Sequence, residues 1–255
     1  MSKPKQIRVL LLLLVLAPLT YLLFLEHDPS PDWTRTKVVV IYPQNADDDF
    51  IVDDWLSGLD ENMFREIEDY ITTEATRYDL ELDRPIEIRL AEPITGAPTA
   101  PPTGHGNTIE RLRWAARLRW WHLRFSRANP EADSIIIAHY QGTNTLLRRL
   151  HSVGMAQPRL ALVNLIASDS HRRYNNLQLA HEILHTFGAS DLYHYSSGQP
   201  DYPEGYASPE ATPRYPQQKA EIMAMRIPTA PNQSNPAFTL DQTTIGPQTA
   251  REIGW

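Results

Sequence analysis

Short runs of β-branched and apolar residues alternate along the chain with longer stretches in which apolar positions recur every three or four residues. The runs are Lys37 to Tyr42 (KVVVIY), Ile86 to Leu90 (IEIRL, opened by Pro85), Ser134 to Ala138 (SIIIA) and Leu160 to Ile166 (LALVNLI). Each has the length and composition of a strand, and the nearly continuous ones predict strands buried on both faces. From about Asp53 to Tyr78, Leu59, Met63, Ile67 and Ile71 fall four apart, the spacing of an amphipathic helix. A second helix is predicted from about Asn107 to Ser126, with Trp114, Leu118, Trp121 and Phe125 as its buried stripe. Arg113, Arg117, Arg124 and Arg127 lie on its other side with Trp120, which reads as a solvated face or as a surface for anionic lipid headgroups.

Residues 93 to 106 (PITGAPTAPPTGHG) can only be a loop. Strand, helix, strand, helix, strand is the order expected of an α/β layer with a largely parallel sheet. Beyond about residue 190, prolines at 200, 203, 209, 213, 216, 228, 231 and 236 exclude long regular elements. The chain recovers at Gly246-Pro247, where proline at the first helical position and Gly254 after the last predict a short helix. The expected fold class is therefore α/β, or α+β once the irregular C-terminal part is counted.

The N-terminus adds an expectation about location. Lys3, Lys5 and Arg8 precede an uncharged run from Val9 to Leu25, and Glu26 and Asp28 follow it. Its length reaches the short end of a membrane-spanning helix, and the charges predict a cytoplasmic N-terminus. Leu22-Leu23-Phe24-Leu25 is too bulky for signal cleavage, so an uncleaved signal anchor is expected over secretion after cleavage. The expected organisation is a cytoplasmic segment 1–8, a transmembrane anchor 9–25, a linker 26–36 and one domain over 37–255 in the periplasm or outside the cell.

Composition narrows the function classes. At 42% hydrophobic and 22% charged, the 255 residues can build a sizeable core, and disorder throughout is excluded. A net charge of −7 argues against a nucleic-acid partner. The absence of cysteine removes disulfides, thiol nucleophiles and thiolate metal sites, so any metal must be held by His, Asp or Glu. No Gly-x-Ser-x-Gly motif is present to suggest a serine hydrolase.

One stretch carries metal chemistry. Residues 179–191 read Leu-Ala-His-Glu-Ile-Leu-His-Thr-Phe-Gly-Ala-Ser-Asp. His181 and His185 are four apart, so on a helix their imidazoles share one face and can share a metal. Glu182 is offset by about 100° and stands beside that metal, where a carboxylate can take a proton from water. Gly188 allows the left-handed turn that ends the helix, and the turn would return Asp191 as a third ligand. Three protein ligands with one position left for water is the arrangement of a catalytic zinc rather than a structural one. His171 and His194 are alternative third ligands off the expected spacing, and His105, His122, His139 and His151 read as solvent or core positions.

His181-Glu182-x-x-His185-x-x-Gly188-x-x-Asp191 resembles the extended zinc signature of the metzincin metallopeptidases. Most members carry histidine at the last position, and aspartate is similar to the minority pattern of snapalysin-like enzymes. The resemblance implies one catalytic Zn2+, a mixed, mostly parallel twisted sheet with two helices before the zinc helix, and a methionine turn beneath the metal. Glu221-Ile222-Met223-Ala224-Met225 fits that turn, with Met223 as its methionine. By the same analogy, Leu160 to Ile166 would be the edge strand that pairs with an extended substrate.

Two features depart from the family. Met225 stands where many members have a tyrosine that steadies the tetrahedral intermediate, which leaves Tyr193, Tyr195, Tyr202, Tyr206 and Tyr215 as substitutes. No cysteine exists to act as an inhibitory switch. The function implied is a membrane-anchored, extracytoplasmic zinc metalloendopeptidase, with a peptide or protein substrate and the membrane as partners. Zinc would activate the water and Glu182 would act as general base. The alternatives are a zinc hydrolase of a non-protein amide, such as cell-wall material, and a zinc-containing binding module without turnover.

Overall fold

A computed structural model describes residues 31–99, 108–143 and 152–255. The chain is mixed α/β. Strands β1 (Lys37–Asn45), β2 (Ile86–Leu90), β3 (Ser134–Gln141), β4 (Val153–Met155) and β5 (Leu160–Ile166) form one sheet in the order β2-β1-β3-β5-β4. The pairs β1–β2, β1–β3 and β3–β5 are parallel, and β4 runs antiparallel to β5. The sheet is therefore mostly parallel, as its uninterrupted apolar strands require. Its edge on this side is β4, which corrects the expectation that Leu160 to Ile166 lies at the edge. Val-Gly-Met is too short and too weakly patterned to read as a strand, and it extends the sheet by one place beyond β5.

Alternate residues divide the core into two layers. Val39, Ile41, Ile136, Ala138, Ala161 and Val163 face a large cluster that includes helices α1 (Phe50–Ser57), α2 (Arg65–Thr76) and α4 (Arg172–Thr186). Val38, Val40, Ile135, Ile137, Leu160 and Leu162 face helix α3 (Thr108–Ala128), which buries Leu118, Trp121 and Phe125. Each fully buried Val, Leu, Ile or Phe side chain among them stabilises the fold by about 1.5–3 kcal/mol. Tyr42 stacks on Phe125 with centroids 3.9 Å apart, fixing α3 against β1.

Among the described residues, three α-helices rather than two precede the histidine-bearing helix. The predicted helix over about 53–78 is broken at Gly58, and the chain restarts with a 3-10 turn at Glu61–Phe64 that leads into α2. Asp49 and Asp60 cap the two starts by accepting from Ile51 N and Asn62 N. The C-terminal part also contains a second sheet, β6 (Ala220–Glu221), β7 (Arg226–Ala230), β8 (Gln233–Pro236) and β9 (Thr243–Thr244), in the order β8-β7-β6-β9. The final helix α5 spans Pro247–Glu252, with Pro247 at its first turn as predicted.

The domain begins before Lys37. Trp33 is buried, donates from Nε1 to Ile253 O at 2.6 Å and packs edge-on against Phe187 and Trp255. Arg35 bonds both oxygens of Asp133 at 2.7 Å. Residues 33–36 are thus part of the folded body rather than a free linker. Among the described residues, no helix is long and apolar enough to cross a membrane. This finding corrects the expected transmembrane anchor, and Val9 to Leu25 lies outside the described residues. Membrane anchoring and periplasmic placement are accordingly withdrawn.

Candidate metal centre

Helix α4 is buried on nearly all sides, so its polar residues serve as pins. Asn175 reads the end of β5 as a strand would, donating to Ile166 O at 2.8 Å and accepting from Ile166 N at 3.1 Å. Asn176 donates to Met63 O and Glu66 Oε2, both at 3.0 Å. These bonds set the rotation of the helix, and that rotation aims His181 and His185 one turn apart at the same point. After Thr186, Gly188 takes φ +107°, Ala189 N returns to Leu184 O at 3.0 Å, and the chain reverses. The reversal brings Asp191 back. Its carboxylate Oδ1 lies 3.2 Å from His185 Nε2 and 3.4 Å from His181 Nε2, and the two Nε2 atoms are 3.1 Å apart.

His181, His185 and Asp191 are the one group of three metal-ligating side chains brought together among the described residues. His194 pairs with Asp201 at 3.1 Å, and His171 contacts Ser170 at the start of the helix, so neither joins the group. His139 is fully buried with Nε2 on Pro98 O, and His122 is half-buried on α3. His105 and His151 lie outside the described residues.

The second nitrogen of each imidazole fixes what the first can do. His181 Nδ1 donates to Ile222 O at 3.1 Å, and His185 Nδ1 donates to Ala189 O at 2.7 Å. Carbonyl partners assign the ring proton to Nδ1 in both rings and turn both Nε2 lone pairs inward. Two lone pairs and a carboxylate oxygen then face one another, an arrangement that requires a cation or a proton between them. The donor set of two imidazoles and one carboxylate suits zinc. Burial opposes protonation of His181, but the bond to Asp191 and the charges of Glu182 and Asp191 outweigh it and move its pKa up. Asp191 is half-buried, which opposes its ionisation, yet the two histidines hold its carboxyl well below the usual carboxylate range.

Glu182 stands beside this group. Its side chain is buried, lines the adjacent cleft, and leaves Oε2 without a hydrogen-bond partner among the described residues. Burial raises its pKa above the ordinary value for glutamate, against the pull of His181 and His185. The backbone at Gly154 in β4 passes directly over it. A Cβ there would stand 2.5 Å from His185 Cβ, 2.7 Å from Glu182 O and 3.0 Å from Glu182 Oε2. Gly154 is a site residue that the pattern analysis missed, although a glycine inside a three-residue strand is the usual mark of close approach.

The methionine turn braces the centre from below. Ala224 N and Met225 N both bond Glu221 O at 3.0 Å, closing a tight turn, and Met223 at its centre is fully buried. Ile222 O holds His181, while Met223 O accepts from Leu192 N at 3.1 Å, so one turn ties His181 to the neighbour of Asp191. Glu221 shapes the turn. Its Oε2 accepts from Met223 N at 2.5 Å and Ala224 N at 3.2 Å, and its Oε1 from Gly246 N at 3.0 Å and Thr249 Oγ1 at 2.7 Å. Burial lifts its pKa to about 7 against those donors.

The tyrosines separate cleanly. Tyr193 is half-buried and lines the cleft with Glu182; burial and the charge of Asp191 raise its pKa. Tyr195 is exposed and donates from its hydroxyl to Asp191 Oδ2 at 3.1 Å. Tyr202, Tyr206 and Tyr215 line a different cavity. The cleft itself has a volume of about 420 Å3. In comparisons with known proteins, the chain matches no family model and no curated sequence.

Proposed function

We propose that the chain is a zinc-dependent endopeptidase of metzincin-like architecture. The observation that carries this reading is the pairing of two features. Both histidines commit Nδ1 to carbonyls so that their Nε2 atoms converge with Asp191, and a buried glutamate oxygen without a partner stands beside them at the cleft. Glu182 is buried beside that group and lines the cleft, where a carboxylate can exchange a proton with water. Support for the architecture comes from the order of elements: a mostly parallel sheet, the helix carrying both histidines, the turn around Met223, and a C-terminal helix.

His181, His185 and Asp191 would hold the ion. Bound there, zinc supplies Lewis acidity, which acidifies water and polarises a carbonyl. Glu182 takes the proton of the attacking water and passes it to the leaving amine, and its raised pKa suits both transfers near neutral pH. Tyr193 offers its hydroxyl to the negative charge that develops on the carbonyl oxygen. The edge strand β4, with Ser152 lining the cleft beside it, offers main-chain groups to an extended peptide, which favours a protein substrate over a compact amide.

Zinc-loaded protein and its Glu182→Gln variant, assayed on an unstructured protein such as casein, test the proposal. The wild type should hydrolyse it, lose activity to a chelator and regain it with zinc. Glu182→Gln should keep the zinc and lose about 10²–10⁴-fold in rate. A fully active Glu182→Gln variant would overturn the mechanism. Zinc-loaded wild type that cleaves nothing would favour the module without turnover.

A further inference from the structure

Arg226 lies in the wall of the cleft that contains His181 and Glu182, at the start of β7 and just past the methionine turn. Met225 takes φ +58°, a turn that aims the chain along this wall. The guanidinium is held rather than free. Its Nε donates to Ser234 Oγ and its Nη2 to Ser234 O, both at 2.7 Å, and Ser234 Oγ donates in turn to Gln199 Oε1 at 2.8 Å. Those bonds use two of five N–H donors. Among the described residues, Arg226 makes no ion pair, unlike Arg35, Arg77, Arg84, Arg89 and Arg173. A half-buried cation with a fixed orientation and no ion-pair partner among the described residues is the complement of an anion.

The surroundings narrow what that anion is. Tyr174 and Phe238, with ring centroids 6.3 Å apart, and Met225 give the cleft that Arg226 lines its apolar walls. A carboxylate on a short carbon stem fits such a wall, with the stem against the rings and the oxygens on the fork. Because Ser234, itself held by Gln199, already orients the guanidinium, little side-chain entropy is lost on binding. Resting on the peptidase reading, we propose that Arg226 selects substrates bearing a carboxylate close to the scissile bond. The source is an acidic side chain of the substrate, since an internal bond is the one cleaved.

A matched set of internally quenched peptides tests this with zinc-loaded protein. Each of the three residues on either side of the cleaved bond is varied in turn among Glu, Gln, Lys and Phe, and each peptide is made as free acid and as amide. Wild type should prefer Glu to Gln by about tenfold in kcat/KM at one position, as expected for a charge-assisted pair. In Arg226→Gln that ratio should fall to about one, and Arg226→Glu should prefer Lys to Glu. A Glu preference shared by acids and amides supports the side chain, whereas free acids favoured over amides whatever the varied residue would assign the terminal carboxylate and overturn the side-chain assignment. If wild type shows no preference, or if Arg226→Gln and Arg226→Glu slow every peptide equally, Arg226 is a staple of the β7–β8 hairpin and the inference fails. Wild type cleaving none of the peptides would overturn the peptidase reading itself, and this inference with it.

Discussion

Nε2 of His181 and Nε2 of His185 face each other across 3.1 Å, and each ring is held in that pose by a carbonyl on its far nitrogen. The two carbonyls come from different places. Ala189 belongs to the turn that ends the helix, whereas Ile222 belongs to the methionine turn some forty residues on. The centre therefore forms only when the C-terminal part packs beneath the helix, and its integrity reports on that packing.

Gly154 is where the edge strand meets the centre. A methyl group there would overlap His185 Cβ at 2.5 Å and Glu182 O at 2.7 Å, and both are fixed by the helix. Gly154→Ala should lower stability by about 1–3 kcal/mol, the range for overpacking, and weaken zinc binding. Chemical denaturation and zinc titration together check this. Unchanged values would show that β4 moves away without cost.

Glu221 accepts four hydrogen bonds in the interior: from Met223 N, Ala224 N, Gly246 N and Thr249 Oγ1. Glu221→Ala leaves those donors unpaired, at about 1–3 kcal/mol for each one that water cannot reach. The expected loss is about 3 kcal/mol or more, read as a lower denaturation midpoint. Because Ile222 and Met223 lie in the same turn, the variant should also bind zinc less tightly.

His139 supplies a pH test away from the candidate metal centre. It is fully buried, and desolvation lowers its pKa from 6.5 to about 4, against the bond that its Nε2 donates to Pro98 O. The unfolded chain therefore takes up a proton at this position between pH 6.5 and 4 while the folded chain does not, so stability falls as pH falls through that window. The contribution is about 2–3 kcal/mol by pH 4. His139→Asn should flatten the denaturation profile between pH 6.5 and 4 relative to wild type, and parallel profiles would contradict the assignment.

Where the chain could be read, and where it could not, follows from how local each signal is. β2 and β5 carry their pattern in consecutive residues and were predicted with the bounds observed, Ile86–Leu90 and Leu160–Ile166. The convergence of His181, His185 and Asp191 was legible for the same reason: the helix sets the spacing of the first two, and Gly188 sets the turn to the third. The helix break at Gly58 was hidden, because Leu59, Met63, Ile67 and Ile71 keep a spacing of four through a capped restart at Asp60. Trp33 looked like part of a tether because its partners, Phe187, Ile253 and Trp255, lie far along the chain. Two-residue strands such as Ala220–Glu221 carry no periodicity at all, so the second sheet and the role of Glu221 appear only in three dimensions.

Zinc bound per chain, in purified wild type and in Asp191→Ala, tests the central claim most directly. The account predicts about one zinc in the wild type and much less in Asp191→Ala, with the variant still folded, because its helix and the methionine turn remain. A folded wild type that takes up no zinc, or an Asp191→Ala variant that holds it as tightly, would contradict a three-ligand centre built from His181, His185 and Asp191.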